Sequence, residues 1–212
     1  MPQDYLAALT QLPYPPVRAQ AKNPAYARMM LGNLGDQSSE TSSYALYLYN
    51  RTITAADPAL SEVFRAVMDV ERKHLEMLSE AAFQLGADPR MWAVTGSAAQ
   101  PMRYWSPGLL SYTANSRAML QNALALERAA IAKYERQVQE IRDDGILLLL
   151  RRILLDESMH VELFRALLAG LDAGGAPAPP APVLPPALPA VAAAPVAVPV
   201  AAEQVLPQQA QL

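Results

Sequence analysis

Two four-residue stretches, Glu71-Arg72-Lys73-His74 and Glu157-Ser158-Met159-His160, contain both histidines of the chain, each three positions after a glutamate. Residues three apart on an α-helix share a face, so in helical segments each motif points a carboxylate and an imidazole the same way. The apolar residues Leu60, Phe64, Val67, Met68, Leu75, Leu78 and Phe83 recur at helical spacing around the first motif. Glu71 and His74 fall within that stripe. Charged groups on a buried stripe need a compensating partner, and two such oxygen-and-nitrogen pairs in one chain propose a metal site.

Turn signals divide the chain into helices. Asn23-Pro24 opens the first, with Asn as cap and Pro at the first helical position. The pattern carries this helix to about Asn50, with Ala25, Met29, Leu34, Ser38, Ala45 and Leu48 on its less polar side and Glu40 near its middle. Gly32 and Gly35 weaken its first half. A second helix is expected from about Pro58 to Gln84. Gly86-Ala87-Asp88-Pro89 then starts a connection through Trp92, Gly96 and Pro101 to Trp105, Pro107 and Gly108. It is too long and turn-rich for a hairpin, but it can travel the length of a bundle. A third helix is expected over Leu109 to Arg142, a short turn at Asp143-Asp144-Gly145, and a fourth helix over Ile146 to Leu168, ending before Gly170.

Laid over one another, the two helix pairs repeat. Glu40 precedes Tyr47 by seven positions, as Glu127 precedes Tyr134. Glu40 to Glu71 is 31 positions and Glu127 to Glu157 is 30. Each half is therefore a helical hairpin offering one Glu from its first helix and one Glu-x-x-His from its second. Packed face to face, the hairpins bring Glu40, Glu71, His74, Glu127, Glu157 and His160 together at mid-height. Four carboxylates offset two divalent ions, and two of them can bridge ions roughly 3.5 to 4 Å apart. One nitrogen per metal among oxygens suits iron or manganese better than copper or structural zinc. Without metal, the acids would repel one another and some would protonate. Tyr47 and Tyr134 read either as core aromatics whose hydroxyls find a carboxylate or as catalytic redox or proton-transfer groups. Arg72, Lys73, Arg151 and Arg152 read as a solvated rim, and Met68, Met77 and Met159 as packing residues.

These motifs, Glu40, Glu71-Arg72-Lys73-His74, Glu127 and Asp156-Glu157-Ser158-Met159-His160, resemble the ferritin-like superfamily of dinuclear carboxylate proteins over about residues 24 to 169. That superfamily includes bacterioferritins, rubrerythrins, manganese catalases and spore-coat relatives. The resemblance implies an all-α, ferritin-like four-helix bundle with a long crossover between helices 2 and 3. It also implies bridging or terminal Glu residues on the first and third helices, the remaining ligands coming from the two Glu-x-x-His motifs. Asp156 resembles the acid that holds a ligand histidine across the site and fixes its tautomer. Rubrerythrins usually carry a further ligand Glu three residues after the third-helix Glu, where this chain has Ala130, and commonly a cysteine domain that is absent here. Manganese catalases are usually longer but have a close ligand pattern.

The function implied is redox chemistry on peroxide or dioxygen at two iron or two manganese ions per chain. With iron it would be ferroxidase or peroxidase chemistry with an unknown electron donor. With manganese it would be disproportionation of hydrogen peroxide. An organic-substrate oxidase or oxygenase, with a pocket under the Trp92 to Trp105 connection, is the competing enzyme class. A coat protein or shell cargo with a stabilising metal site is the structural alternative. Exposed faces of such bundles commonly pack together, so a homo-oligomer is expected.

Composition narrows the partners. A formal net charge of -3 and a pI near 5.4 give no sign of nucleic-acid or membrane-surface binding. The absence of cysteine excludes disulfides and thiolate metal sites and fits a cytoplasmic protein. MPQDYLAALT lacks the basic-then-apolar order of a signal peptide. Three regions are expected: an irregular Pro-broken lead over 1–22, the bundle over 23–170, and a tail over 171–212. Ten of the 19 prolines lie in that tail, and Asp172 and Glu203 are its only charges. Proline at that density forbids a helix or a membrane span and favours an extended chain, disordered or serving as a docking segment.

Overall fold

The computed structural model describes residues 12–93 and 103–172. The extended reading of the chain from 173 onward, the first eleven residues, and the connection around Gly96 and Pro101 lie outside the described residues.

Among the described residues, five α-helices carry the fold: α1 (Pro24–Gly35), α2 (Glu40–Ile53), α3 (Pro58–Gln84), α4 (Ser116–Glu140) and α5 (Asp144–Asp172). The long helices α2 to α5 form the ferritin-like bundle, with α2 packed mainly on α3 and α4 on α5. The connection between α3 and α4 is the crossover. A short antiparallel ladder, β1 (Trp92–Ala93) against β2 (Arg103–Tyr104), folds it back on itself. The Trp92 and Tyr104 rings stack at 4.6 Å between centroids. No helix among the described residues is long and apolar enough to cross a membrane.

The single helix expected over residues 23 to 50 is instead two. Asn23 caps α1, accepting from the Ala25 and Tyr26 amides, and Pro24 opens the helix. Ala27, Met30, Leu31 and Leu34 make its buried face. The helix ends at Gly35, where Trp92 packs so closely that a Cβ would overlap its carbonyl and only glycine leaves the room. Asp36 is extended, and Ser39 then caps α2, accepting from the Ser42 amide. The break resets the helical phase. Ala25 and Leu48, expected on the less polar side, are exposed, whereas Ser43, Leu46, Tyr47 and Asn50 turn inward. Glu40 thus occupies the first position of α2 rather than the middle of a longer helix. Lys133 of α4 fastens the break, with Nζ 2.6 Å from the Ser38 carbonyl oxygen.

Asp57 caps α3 and Pro58 opens it, as the turn signal predicts. Leu60, Phe64, Val67, Glu71, His74 and Leu78 share its buried stripe, while Phe83, expected in that stripe, is 70% exposed near the helix end. Gly86 ends α3 at a φ of 100°, and the Ala87 amide reaches back to the Ala82 carbonyl at 2.9 Å. That closure is the Schellman arrangement, which a residue with a Cβ adopts only under strain. α4 begins at Ser116, capped by Asn115; Leu109 belongs instead to a separate 3-10 turn, Pro107–Leu109.

Asp143-Asp144-Gly145 is not a turn of the glycine-requiring kind. α5 starts at Asp144, and Asp143 Oδ1 accepts from the Ile146 amide at 3.1 Å. Gly145 is needed for space: a Cβ there would overlap the Arg18 carbonyl of the lead. Residues 12–22 are stapled across the bundle. The Ala19 amide donates to Gln84 at 2.8 Å, Gln84 Nε2 donates to the Val17 carbonyl at 3.0 Å, and the Gln20 amide donates to Asp143 at 2.7 Å. Gly145→Ala is therefore expected to lift the lead off α5. At about 1–3 kcal/mol for an overpacked site, the melting temperature should fall by roughly 3–10 °C. Protease cleavage within residues 12–22 should rise at the same time.

Among the described residues, two apolar clusters fill the interior. One gathers Tyr47, Phe64, Met119, Leu120, Met159 and Phe164; the other gathers Met30, Leu34, Leu78, Tyr134, Ile146 and Ile153. Tyr47 stacks against Phe64 at 5.9 Å and meets the tilted Phe164 ring at 5.7 Å, contacts each worth about 0.5–1.5 kcal/mol beyond area burial. Each cluster contains one of the paired tyrosines. The polar residues lie in a layer that both hydroxyls reach.

Candidate metal centre

Glu40, Glu71, His74, Glu127, Glu157 and His160 meet in that layer, each no more than 1% exposed. The helix spacing predicts how they meet. Glu71 and His74 lie one turn apart on α3, 3.5 Å between Oε2 and Nδ1, and Glu157 and His160 repeat this on α5 at 3.4 Å. His74 Nδ1 is also 3.3 Å from Glu40 Oε2 and from Glu157 Oε1. His160 Nδ1 is 3.2 Å from Glu71 Oε1 and 3.7 Å from Glu127 Oε1.

Two donor quartets result: Glu40, Glu71, His74 and Glu157 form one, and Glu71, Glu127, Glu157 and His160 the other. In each, the donor atoms lie within 4.8 Å of one another. Glu71 and Glu157 belong to both quartets, so the shared carboxylates come from α3 and α5. Glu40 and Glu127, on α2 and α4, each serve one quartet.

The tyrosines cross between the hairpins. Tyr47 Oη of α2 donates to Glu127 of α4, and Tyr134 Oη of α4 donates to Glu40 of α2. The sequence places each tyrosine seven residues after its own glutamate; the fold gives it to the other one. Burial, then the neighbouring carboxylates, push both hydroxyls well above their ordinary range. They remain donors at any working pH.

Burial and the charges of Glu71 and Glu157 push Glu40 and Glu127 well above the usual carboxylate range. Burial acts the same way on Glu71 and Glu157, but contacts outweigh it. Glu40, His160 and His74 hold Glu71 down, and Glu127, His160 and His74 hold Glu157 further down. Both imidazoles are raised well above their ordinary value, because the carboxylates around them outweigh desolvation. In the metal-free layer, burial and mutual charge thus favour protons on Glu40, Glu127 and the two imidazoles and disfavour them on Glu71 and Glu157.

Outside the quartets, Asp156 Oδ2 lies 3.0 Å from His74 Nε2 and accepts from Tyr14 Oη at 2.8 Å. Burial works against its charge, but His74 and Arg152 hold the carboxyl below its usual range. Arg152, read from the sequence as part of the rim, is 1% exposed, pairs with Asp156 and lies 4.1 Å over the Tyr14 ring. Its position four residues before Asp156 was the available signal. Nothing in the irregular lead marks Tyr14. Ala130, where rubrerythrins carry another ligand Glu, packs in the apolar cluster around Tyr134. A cavity of about 220 Å³ lies between α2, α4 and the 3-10 turn, lined by Ser38, Leu46, Leu110, Asn122 and Leu126 among others. The six clustered donors are not part of its lining.

The residues fit a metal pair on their own terms. Both oxygens of Glu71 and Glu157, one of Glu127, and His160 Nδ1 are buried without a conventional hydrogen-bond partner among the described residues. Buried polar atoms left so are costly, and these belong to residues of the two quartets.

Fold and cluster together define a ferritin-like bundle whose carboxylate and histidine donors can hold two ions. The chain belongs to the rubrerythrin family, whose sequence pattern matches residues 37–168. It is 25% identical over 170 residues to a probable manganese catalase of Clostridium acetobutylicum, covering 72% of this chain and 74% of the relative. Its fold is similar to that of the manganese catalase KatB from Anabaena in two crystal structures. The first, of the wild type, aligns with a TM-score of 0.67 at 19% identity, over 76% of this chain and 79% of that one. The second gives the same score and identity over 77% and 79%.

Proposed function

We propose that the chain holds two manganese ions in the two quartets and disproportionates hydrogen peroxide to water and dioxygen. The observation that carries this reading is that Glu71 and Glu157 belong to both donor sets in a fully buried layer. Manganese over iron is supported by the likeness to a probable manganese catalase.

When bound, the two ions supply the two-electron exchange that peroxide disproportionation requires. The chain supplies the rest. Glu40, Glu71, His74 and Glu157 would hold one ion and Glu71, Glu127, Glu157 and His160 the other, with Glu71 and Glu157 common to both and one histidine in each set. Tyr47 and Tyr134 hold the unshared carboxylates by hydrogen bonds from the opposite hairpin, and this positioning is preferred to a redox role for either tyrosine. The two apolar clusters exclude bulk water, which strengthens every charge interaction inside. Such burial admits small oxygen species more readily than an organic substrate.

Elemental analysis of protein purified without added metal, with oxygen evolution from hydrogen peroxide on the same sample, tests the proposal. The expected result is two manganese ions per chain and rapid oxygen release. Two iron ions, bleached by a reductant and restored by peroxide, would replace it with the iron peroxidase reading. No bound ion after reconstitution with either metal would overturn it.

A further inference from the structure

The two halves of the metal layer match in their donors but not in what stands behind them. Asp156, immediately before Glu157, reaches His74 Nε2 across the bundle at 3.0 Å. The equivalent residue before Glu71 is Val70, buried and apolar. Arg152 stands four before Asp156; Ala66, also buried, stands four before Val70. Among the described residues, no group hydrogen-bonds to His160 Nε2.

The lead belongs to the same asymmetry. Tyr14 Oη donates to the oxygen of Asp156 that faces His74, its ring covers the Arg152 guanidinium, and Arg152 Nη2 donates to the Leu12 carbonyl at 3.2 Å. The Tyr14 and His74 rings meet edge to face at 6.4 Å. Water is thereby kept from the Asp156–Arg152 pair on one side of the layer. No such cover comes from residues 12–22 to His160.

From this asymmetry, and resting on the dinuclear reading above, we propose that the two positions load unequally. The lead, through Tyr14 and Asp156, makes the Glu40–Glu71–His74–Glu157 position the tighter, first-filled one. An acceptor at Nε2 holds the proton there, leaving the Nδ1 lone pair turned toward the ion and the ring fixed in orientation. His160 has no such partner among the described residues, so its ring must settle its tautomer and orientation on binding. Outer partners of ligand histidines are worth about 10- to 100-fold in metal affinity, and that range is the gap expected between the two steps. Tyr14 is a positioning residue. Without its ring, water reaches Asp156 and competes for the bond to His74.

Manganese(II) titrated into the metal-free full chain, followed by calorimetry and by electron paramagnetic resonance, tests this. The expected result is two resolved steps, with one equivalent giving a mononuclear signal and the second converting it to a coupled pair. Asp156→Asn should weaken the first step about tenfold and leave the second in place. Tyr14→Ala should weaken the first step only, by several-fold, with an unchanged helical circular dichroism spectrum. Two equal steps, a coupled pair already dominant at one equivalent, or a variant that weakens both steps alike would overturn the inference while leaving the dinuclear centre standing. Failure of the wild-type chain to bind manganese at all would overturn both.

Discussion

Glu71→Gln is expected to empty both metal positions, whereas Glu127→Gln, with the same chemistry of substitution, should empty only one. The difference follows from membership of the quartets. Glu71 supplies a donor to each, and Glu127 only to the one containing His160. Loss of a group merely behind a ligand costs about 10- to 100-fold in affinity, so loss of a shared carboxylate should cost about 100-fold or more at both positions. Glu157→Gln should match Glu71→Gln, and Glu40→Gln should spare the His160 position. Metal per chain, measured after gel filtration at fixed free manganese, reads the pattern directly. Peroxide turnover should fall by about two orders of magnitude or more in the shared-ligand variants. Glutamine keeps the shape of the side chain, and circular dichroism of the metal-free variants separates ligand loss from misfolding. Equal losses for Glu71→Gln and Glu127→Gln would show that the shared-carboxylate geometry is not the one that binds. Unchanged metal content and melting temperature in both would mean a helical bundle without a metal centre.

Much of this centre was legible in the sequence because helical spacing is rigid. A step of three positions from Glu to His, and of seven from Glu to Tyr, leaves little freedom in which face a side chain occupies. The near-repeat of the two hairpins then places the six donors at one level. What spacing cannot carry is contact between hairpins. Nothing in the interval from Glu40 to Tyr47 says that Tyr47 will bond Glu127, because that pairing is decided by how the helices cross. The break at Asp36–Ser39 was hidden for a related reason. Gly35 weakens a helix only modestly as a local preference; its requirement here comes from the Trp92 backbone, 57 residues away, which occupies the space a Cβ would need beside the break. The buried Arg152 and the Tyr14 contact likewise depend on a lead whose path only tertiary packing sets.

Raising the pH should destabilise the metal-free chain and leave the loaded chain nearly unaffected, so the melting-temperature gain on metal binding should widen with pH. Glu40 and Glu127 hold protons well above the ordinary carboxylate value of 4.5, and His74 and His160 well above 6.5. In each case the folded chain binds more protons than the unfolded one over the window between those values. Its stability therefore falls as pH rises through the raised folded values. Glu71 and Glu157 act in the opposite sense, since contacts hold them below 4.5. Their contribution is present above that value and is lost only on the acid side, so they do not offset the alkaline loss. Bound ions take the place of protons carried by Glu40, Glu127, His74 and His160, so binding releases protons. At free manganese about a thousandfold above the dissociation constant, each position adds about 4 kcal/mol. For a chain of this size that is about 2–4 °C per kcal/mol, giving a gain of roughly 15–30 °C for the pair near pH 9. Near pH 6 proton competition should shrink the gain to a fraction of that. Differential scanning calorimetry of metal-free and loaded protein across this range checks the slope, and titration in buffers of different ionisation enthalpy counts the protons released. A metal-free melting temperature that stays level or rises above pH 6.5 would show that the layer does not carry the protons its burial and charge assign to it.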